Sequence, residues 1–322
     1  MAITALTAAY LLDCLIGDPR RLPHPVRFLG AAVDSMEIAA RRLFRTPRGL
    51  RMGGALIVFV TAGIALFLTI IPVAAAYRLH PAAGLILETY IIFACLAGGD
   101  LRNHVLEVEE NLLRGSLEKA RASAALLVSR DTGSLDESGV SRAALESLFE
   151  NSADGLVAPL LFAAVGGPAA AVLYKTVNTL DSMLGYKTAE YGDLGYFAAK
   201  TDDVLNYIPS RLTALYIILA GAGSGRWREG RRVLSADRGK HESPNSAWPE
   251  AAAAGILGIS FGGADYYRDE IVLRPLINDS GNAPVPADIG RGLALFRSTS
   301  ILAFISLVIL SYWLRTWEAL LL

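Results

Sequence analysis

The sequence predicts a mostly α-helical, all-α polytopic integral membrane protein, and three observations carry that prediction. The 322-residue chain is 53% apolar and only 19% charged, with a mean hydropathy of +0.39, whereas a soluble domain has ~25% charged residues. The stretch from Gly53 to Tyr77 contains no charged residue and is long enough to cross a bilayer. Alternation of β-branched residues is scarce. The net charge of −1 provides no basic field, so nucleic-acid binding is not expected.

The apolar segments predict about four to six helices in a single membrane domain covering residues 1–322. They are residues 3–17, 53–77, 81–99, 156–174, 212–223 and 298–314. The stretches 101–113 and 117–127 are amphipathic, and we expect such helices at the cytoplasmic face.

The weaker candidate spans are short or are interrupted by residues that disfavour a membrane helix. Residues 3–17 are few and include Asp13, and they lack the basic start and the cleavage site of a signal peptide, so we expect a retained membrane-associated helix. Residues 156–174 are interrupted by Gly166-Gly167-Pro168, and residues 212–223 form a short stretch. Both are therefore expected to be buried or re-entrant helices.

The distribution of arginine predicts the orientation in the membrane. Residues 18–52 are rich in arginine, so the positive-inside rule places them in the cytoplasm. Residues 100–155 and 226–297 follow to the same side. If both weak segments crossed, residues 175–211 would face outward. We expect that neither crosses, which puts every polar stretch on the cytoplasmic face of the cell (inner or plasma) membrane.

One polar stretch enters an apolar segment as a helix that Ser141 is expected to open. Arg142, Glu146, Glu150 and Asp154 recur every four residues and therefore line one stripe of that helix. Such a stripe can hold a metal ion or phosphates, and it can equally be a solvated face with ion pairs one turn apart.

A proline-rich stretch follows the first apolar segment. Three prolines within residues 18–27 preclude a helix, so we expect a rigid loop at the membrane surface. Arg20, His24 and Arg27 in such a loop suit an anionic ligand. The alternative is a loop that ends a helix and whose arginines contact lipid phosphates.

A third polar stretch directly follows the apolar segment 156–174. Tyr174, Asn178 and Asp181 are spaced so that they share one helical face, with Lys175 beside it. Amide and carboxylate oxygens are hard ligands appropriate to Mg²⁺. The stretch is a candidate cation site, although its pattern alone is weakly specific.

The next stretch repeats this chemistry. Asp202, Asp203 and Asn206 can converge on a cation, and Arg211 is near enough along the helix to meet a phosphate. The alternative interpretation is ordinary helix capping, with Thr201 as N-cap and the two aspartates in the first turn.

The last stretch precedes an alanine-rich helix. Lys240 and His241 can hold phosphate or move protons, Asn245 can bond a ligand, and Trp248 can stack on a flat one. Glu250 fits the first turn of that helix as ordinary capping chemistry.

Taken together, these stretches resemble the signature blocks of the CobD/CbiB family. The blocks occur in the family's order along nearly the whole chain, and several blocks together are far more specific than any one. They are Gly17–Arg20 with Leu22–Val26, Glu146–Ser147 with Glu150–Gly155 and Ala158–Pro159, Asn178–Met183 with Gly185–Tyr186, Asp202–Asp203 with Asn206 and Ile208–Thr213, and His241 with Ser243–Asn245 and Trp248–Ala251. Phe149 and Ser152 are mild departures from the family's pattern.

The resemblance implies adenosylcobinamide-phosphate synthase activity, in which ATP and Mg²⁺ drive an amide bond between a propionate of adenosylcobyric acid and the amine of aminopropanol phosphate. A carboxylate does not react with an amine unaided, so an acyl phosphate is the expected intermediate. Phosphoryl transfer mainly needs positioning and charge neutralisation. Lipid is the expected surroundings, and a homodimer or an association with other late cobalamin-pathway membrane enzymes stays open.

Individual roles follow from the residue chemistry under this resemblance. The oxygen-bearing residues expected at the metal are Glu150, Asn151, Asn178, Asp181, Asp202, Asp203 and Asn206. The residues expected at phosphates or substrates are Arg20, Arg27, Arg130, Lys175, Arg211, Lys240, Asn245 and Trp248. The residues expected to act in catalysis are His24, His241, Glu146 and Asp154, with either histidine deprotonating the attacking ammonium.

Two other classes of protein fit parts of the pattern. A membrane prenyl- or phosphotransferase would explain the paired Asn178/Asp181 and Asp202/Asp203 motifs, and it would not consume ATP. A transporter or sensor would use Asp13 and Glu88 within the membrane as part of a pathway. The sequence has no Walker-type loop, so the ATP site is not located by motif.

Overall fold

The computed structural model describes residues 2–17, 25–186, 188, 190–267 and 270–321, and of residues 2, 25–29, 31, 266, 267, 270 and 318–321 it describes the backbone alone. The described chain is mostly helical, as predicted. Its helices are α1 (Ala2–Ile16), α2 (Pro25–Leu43), α3 (Pro47–Leu79), α4 (Pro81–Cys95), α5 (Gly98–Leu113), α6 (Leu117–Ala124), α7 (Glu137–Ser152), α8 (Ala158–Leu184), α9 (Tyr196–Leu205), α10 (Tyr207–Ala220), α11 (Trp227–Asp237), α12 (Ala247–Leu257) and α13 (Pro286–Leu321). A π-helical turn, Ala153–Val157, joins α7 to α8, and a 3₁₀ turn, Gly221–Ser224, follows α10.

Within the described residues, four helical stretches are long and apolar enough to cross a membrane. They are Pro47–Leu79, Pro81–Leu113, Glu137–Leu184 and Pro286–Trp317. The pair Tyr196–Leu205 and Tyr207–Ser224, bent by 45°, is a fifth candidate. The segments 156–174 and 212–223, which we expected to be the weaker ones, thus belong to longer helical stretches than their apolar cores indicated.

The chain divides into two compact units. Unit 1 contains residues 1–96, 158–206 and 307–322, and its helices α3, α4 and α8 pack on one another with α1, α2 and α9 around them. Val33, Ile57, Leu180 and Leu194 belong to its buried core. α8 is kinked where Gly167 has φ +65°, directly before Pro168, so the interruption predicted from Gly166-Gly167-Pro168 is a bend within one long helix.

Unit 2 contains residues 97–157 and 207–306. α7 packs against α5, α6 and α12, and α12 packs against α10 and α11. The α11–α12 contact is close because glycines meet there: a Cβ on Gly255 would lie 2.7 Å from the Cα of Gly230. This packing fixes α12 relative to its neighbours, and α12 carries Glu250 in its first turn.

Unit 2 also contains an antiparallel hairpin, β1 (Phe261–Tyr267) and β2 (Glu270–Ile277), which the sequence did not predict. Its start is irregular: the register shifts between Phe261 and Gly263, and Gly262 has φ +81°. A Cβ on Gly262 would lie 2.2 Å from the carbonyl oxygen of Pro275, so only glycine fits this position.

Three predicted element boundaries are wrong. α2 begins at Pro25, so residues 25–27 of the predicted loop are helical, because proline is well suited to the first helical position. α7 begins at Glu137 with Asp136 as its N-cap, and the hydroxyl of Ser141 instead donates to the Glu137 carbonyl within the helix. α9 begins at Tyr196, so Thr201 lies inside it.

Candidate functional site

The carboxylate of Glu146 is the centre of a buried ion network in unit 2. Glu146 is 2% exposed and lies on the face of α7 that meets the hairpin. Its Oε1 accepts the backbone N–H of Gly262 at 2.7 Å, and its Oε2 accepts Nη2 of Arg274 at 2.5 Å and Nη2 of Arg130. Both oxygens are therefore occupied, and Glu146 holds the irregular start of β1 against α7.

Asp265 on β1 completes the network. Its fully buried carboxylate pairs with Arg130, with Nη2 of Arg142 at 2.9 Å and with Nε of Arg274 at 2.7 Å. Burial lowers the pKa of Arg130 and Arg274, but the facing charges of Glu146 and Asp265 outweigh it and raise both pKa values. Three guanidiniums thus face two carboxylates, which leaves one surplus positive charge.

A cleft of ≈160 Å³ opens beside this network. It is mostly polar, and its lining residues are Leu127, Val128, Ser129, Arg130, Glu146, Ser147, Glu150 and Arg274. Arg130 is 6% exposed, and its Nε has no hydrogen-bond partner among the described residues. The cleft therefore presents two fixed guanidiniums and two carboxylates.

Glu150, His241 and Glu250 converge next to the cleft. One ligand atom from each lies within 4.8 Å of the other two, and this is the one such group of three metal-ligating side chains within the described residues. Glu250 is 1% exposed, and its Oε1 has no described hydrogen-bond partner. Complete burial raises the pKa of Glu250 well above its ordinary value, and the charges of Glu150 and Glu146 raise it further. A cation bound here would relieve that repulsion.

His241 lies in the loop between α11 and α12. Its Nδ1 accepts the backbone N–H of Ser243 at 3.0 Å, so in the neutral ring the proton resides on Nε2. Burial lowers the pKa of His241, which favours that neutral ring. In this arrangement the free side of the ring is a hydrogen-bond donor, and the carboxylate oxygens of Glu150 and Glu250 are the better cation ligands.

Arg211 on α10 positions the segment that leads into α12. Its Nη1 donates to Asn245 Oδ1 at 2.6 Å, and its Nη2 donates to the Pro244 carbonyl at 3.3 Å. The guanidinium also lies 3.7 Å from the ring centroid of Tyr207 and 4.5 Å from that of Trp248. Arg211, Asn245 and Trp248, which we predicted to contact substrate, are thus brought together as a clamp on this segment.

Lys240 is also tied to the protein. Its ammonium pairs with Asp237 at 2.8 Å and donates to the Leu276 carbonyl of β2 at 2.9 Å. The other oxygen of Asp237 accepts the backbone N–H of Asn278 at 2.7 Å. These contacts hold the end of the hairpin on α11, and the predicted phosphate contact of Lys240 stays a prediction.

A second polar cluster belongs to unit 1. Asp202, which is 8% exposed, accepts Nδ2 of Asn178 at 3.3 Å on one oxygen and Nδ2 of Asn206 at 3.0 Å on the other. Tyr174 donates its hydroxyl to Asn206 Oδ1 at 2.9 Å. The cluster therefore closes on itself. Asp202 and Asp203 lie near the end of α9, so the helix-dipole interpretation of these aspartates is wrong.

The remaining predicted residues are placed individually. Asp203 pairs with Lys200 at 2.9 Å, and Asn151 donates to Ser147 one helical turn earlier. Half-buried Asp154 lies in the π-helical turn. Asp181 and Lys175 are half-buried on α8 in unit 1. For all of these the metal, catalytic or phosphate roles stay predictions.

Three predicted residues lie outside the described side chains. Arg20 and His24 are not among the described residues, and of Arg27 the backbone alone is described, within α2.

Three residues of the site were missed as functional groups. Asp265 and Arg274 lie on a hairpin that we did not predict, and Glu250 resembled an ordinary capping residue. The tertiary pairing of α7 with α12 and the hairpin brings them together, and the one signal in the sequence was the position of Glu250 inside a family block.

The apolar helices and the buried charged site define a polytopic helical membrane protein with a network of arginines and carboxylates beside a cleft. The chain belongs to the CobD/CbiB family: the family described as CobD/Cbib protein matches residues 6–296. It is 39% identical to the cobalamin biosynthesis protein CobD of Clostridium perfringens over 302 residues, 92% of each chain. It is 38% identical to CobD of Klebsiella pneumoniae over 98% of this chain and 99% of that one, and 40% identical to CbiB of Salmonella typhimurium over 96% and 97%. No solved structure matches significantly.

Proposed function

We propose that this protein is an adenosylcobinamide-phosphate synthase that forms an amide from a propionate of adenosylcobyric acid and the amine of aminopropanol phosphate. The γ-phosphoryl group of ATP is transferred to the carboxylate, which gives an acyl phosphate and ADP. The amine then attacks the acyl carbon, the amide forms, phosphate leaves, and the ammonium proton passes to a base. The cobalamin biosynthesis names of the relatives support this assignment.

The observation that carries the proposal is the adjacency of the arginine-lined cleft and the carboxylate cluster, which share Glu150. An acyl-phosphate mechanism needs both cationic groups for phosphates and a cation site beside them. Unit 2 supplies the two from the same few elements.

The residues present fit Mg²⁺. Magnesium takes one or two carboxylates together with phosphates, and Glu150 and Glu250 offer two carboxylates, one of which has a buried oxygen without a described partner. Glu150 and Glu250 would hold the ion, which would neutralise phosphate charge during transfer. The predicted alternative ligands, Asn178 and Asp202, engage each other in unit 1.

The side chains at this site would then have separate roles in the reaction. Arg130 and Arg274 are held by Glu146 and Asp265, so they orient an anion without rearranging. Glu150 lines the cleft, so its carboxylate would lie beside the ammonium of the substrate. His241 would have to release the N–H of Ser243 before it accepted a proton at Nδ1, so we assign it a donor role.

The remaining context is proposed on the same basis. The protein would lie in the cell membrane with this site facing the cytoplasm, where ATP is available. The arginines that follow α1 and flank α3 support that orientation through the positive-inside rule. Association with a second copy or with other membrane enzymes of the pathway is part of the proposal.

The test is turnover by detergent-purified protein with adenosylcobyric acid, aminopropanol phosphate and Mg-ATP. We expect condensed corrinoid, detected by mass, and ADP in equal amounts, both abolished by chelating Mg²⁺. The variant R232Q should keep this turnover, because Arg232 is an exposed arginine of α11 that pairs with Glu229.

Intact ATP and no condensed corrinoid from folded protein would overturn the proposal. Transfer of a prenyl or phosphoryl group without ATP consumption would then favour the transferase, and flux across vesicles without chemistry would favour the transporter.

A further inference from the structure

The cleft beside the ion network distinguishes between the three proposed substrates by size. Its ≈160 Å³ corresponds to the share of about five water molecules at ~30 Å³ each. Pockets that enclose drug-sized ligands are larger, ~300–1,000 Å³. A nucleotide and a corrinoid both exceed this cleft, whereas a small phosphate ester matches it.

The charges of the cleft fit the phosphate of such an ester. Two of the network's arginines, Arg130 and Arg274, line the cleft together with the carboxylates of Glu146 and Glu150, so a ligand that carries both a phosphate and an ammonium balances its charges. Arg130 is 6% exposed and pairs with both carboxylates of the network, so it supplies fixed positive charge at the cleft. Arg274 also lines the cleft and is partly exposed, so it can reach a ligand while Nη2 stays on Glu146.

The donors are also prearranged. The carboxylates of Glu146 and Asp265 hold the guanidiniums of Arg130 and Arg274 from behind, and the Gly262 N–H in turn holds Glu146. A ligand therefore meets fixed donors and little ordering is required on binding. Glu150 lines the same cleft, so the amine end of a small ester would lie beside a carboxylate.

We propose that this cleft binds a small phosphate monoester through its phosphate, and that the nucleotide and the corrinoid approach the Glu150–Glu250 cluster from outside the cleft. The proposal rests on the proposed function for the identity of the ester, aminopropanol phosphate. The sequence predicted that Arg130 binds a phosphate or a substrate, but it did not distinguish ATP from aminopropanol phosphate. This proposal assigns the Arg130 contact to aminopropanol phosphate.

The test uses purified full-length protein in detergent, without ATP or corrinoid, and titrates phosphoethanolamine, inorganic phosphate and AMP by calorimetry. We expect one phosphoethanolamine per chain and no displacement of it by AMP. R274Q removes a cleft donor and should weaken binding ~10-fold to ~100-fold. R232Q, an arginine loss outside the cleft, should leave it unchanged.

A second variant avoids the ion network. Ser129 is exposed at the cleft, so S129W adds bulk there without removing a buried contact. We expect S129W to weaken phosphoethanolamine binding ~10-fold or more, and in turnover to raise the KM for aminopropanol phosphate while the KM for ATP stays constant.

Three results would overturn the inference: no phosphoethanolamine binding by folded wild-type protein, binding that S129W leaves intact, or a raised KM for ATP in S129W with that for aminopropanol phosphate unchanged. Tight phosphoethanolamine binding without synthase turnover would support the cleft assignment and remove the proposed function, so the two failures are distinguishable.

Discussion

The two polar clusters of the molecule contain similar side chains and differ in how completely they are hydrogen-bonded. In unit 1, both oxygens of Asp202 accept amide donors, and Asn206 is completed by Tyr174. In unit 2, Glu250 Oε1 and Arg130 Nε are buried without described partners. Unit 1 therefore has a closed cluster, whereas unit 2 keeps buried polar atoms without described hydrogen bonds, a state that is destabilising unless a ligand or a cation completes it.

The largest expected effect tests the network behind the cleft. E146Q would leave the guanidiniums of Arg130 and Arg274 with Asp265 as their remaining carboxylate, and breaking a buried pair costs ~3–5 kcal/mol. We expect a large fall in the thermal unfolding temperature and rapid proteolysis within residues 261–277. E110Q is the control, since the exposed Glu110–Arg114 pair should contribute less than ~1 kcal/mol. Equal stability losses would contradict this role of Glu146.

The next effect is on activity. E250Q replaces a buried carboxyl, whose pKa is raised by burial, with a neutral amide that binds a cation poorly, so we expect nearly unchanged stability together with loss of Mn²⁺ binding, measured by paramagnetic resonance with Mn²⁺ as a substitute for Mg²⁺. Turnover should fall ~10²–10³-fold, the scale of one lost electrostatic contact at a reaction centre. Wild-type Mn²⁺ affinity in E250Q would remove the cation assignment.

The matched change in unit 1 should behave in the opposite way. D202N keeps one acceptor oxygen and places an amide N–H₂ against one of the two donors, Asn178 or Asn206, so we expect a loss of ~1–3 kcal/mol in stability with Mn²⁺ binding intact. The comparison of the two clusters is reversed if D202N abolishes Mn²⁺ binding and stays as stable as the wild type.

A smaller effect is expected at His241. Removal of a general base lowers turnover ~10²–10⁴-fold, but a donor role predicts that H241Q, whose amide can still donate, loses less than ~10-fold of that rate. The pH dependence of turnover in H241Q decides between the two roles. If His241 were the base, H241Q would lose the increase in rate that accompanies deprotonation of the base as the pH rises.

The smallest expected effect is a change in the number of protons that are released when Mn²⁺ binds. The pKa of Glu250 is raised by burial, so below that pKa the carboxyl keeps its proton and a cation must displace it. We expect Mn²⁺ affinity to fall as the pH is lowered and proton release per ion to rise, to at most about one proton. Titration in buffers of different ionisation enthalpy measures this, and a proton release that stays at zero as the pH is lowered would contradict it.

The sequence predicted the helical membrane fold well and the site in part. The uncharged stretch 53–77 and the amphipathic stretch 101–113 both lie in helices, as predicted. Apolar length and hydrophobic periodicity are properties of the local sequence, so they can be read without knowledge of tertiary contacts. The hairpin was missed because Gly262 and Gly263 directly follow the first residue of β1 and β2 contains Pro275, which are poor strand signals. Its pairing depends on tertiary contacts with Glu146 rather than on local propensity.

Within the site, sequence spacing could group residues of one helix but not residues of different elements. Glu150 was singled out, whereas Glu250 appeared to be a capping residue because its partner lies on α7. In the same way, Asp202 was predicted to bind a metal, and the amides that occupy its two oxygens became visible in the folded chain.

The positions of the network residues along the chain also determine the order in which their ion pairs can form during translation. Arg130 lies 16 residues before Glu146, so this pair can form as soon as α7 does, whereas Arg274 lies 128 residues later. At ~5–20 residues per second, the ribosome needs on the order of ten seconds to deliver Arg274 after Glu146. During that interval the carboxylate has one of its two arginines, and a two-stranded ribbon is marginal alone. The hairpin and the cleft are therefore completed together, late in synthesis, as a single event.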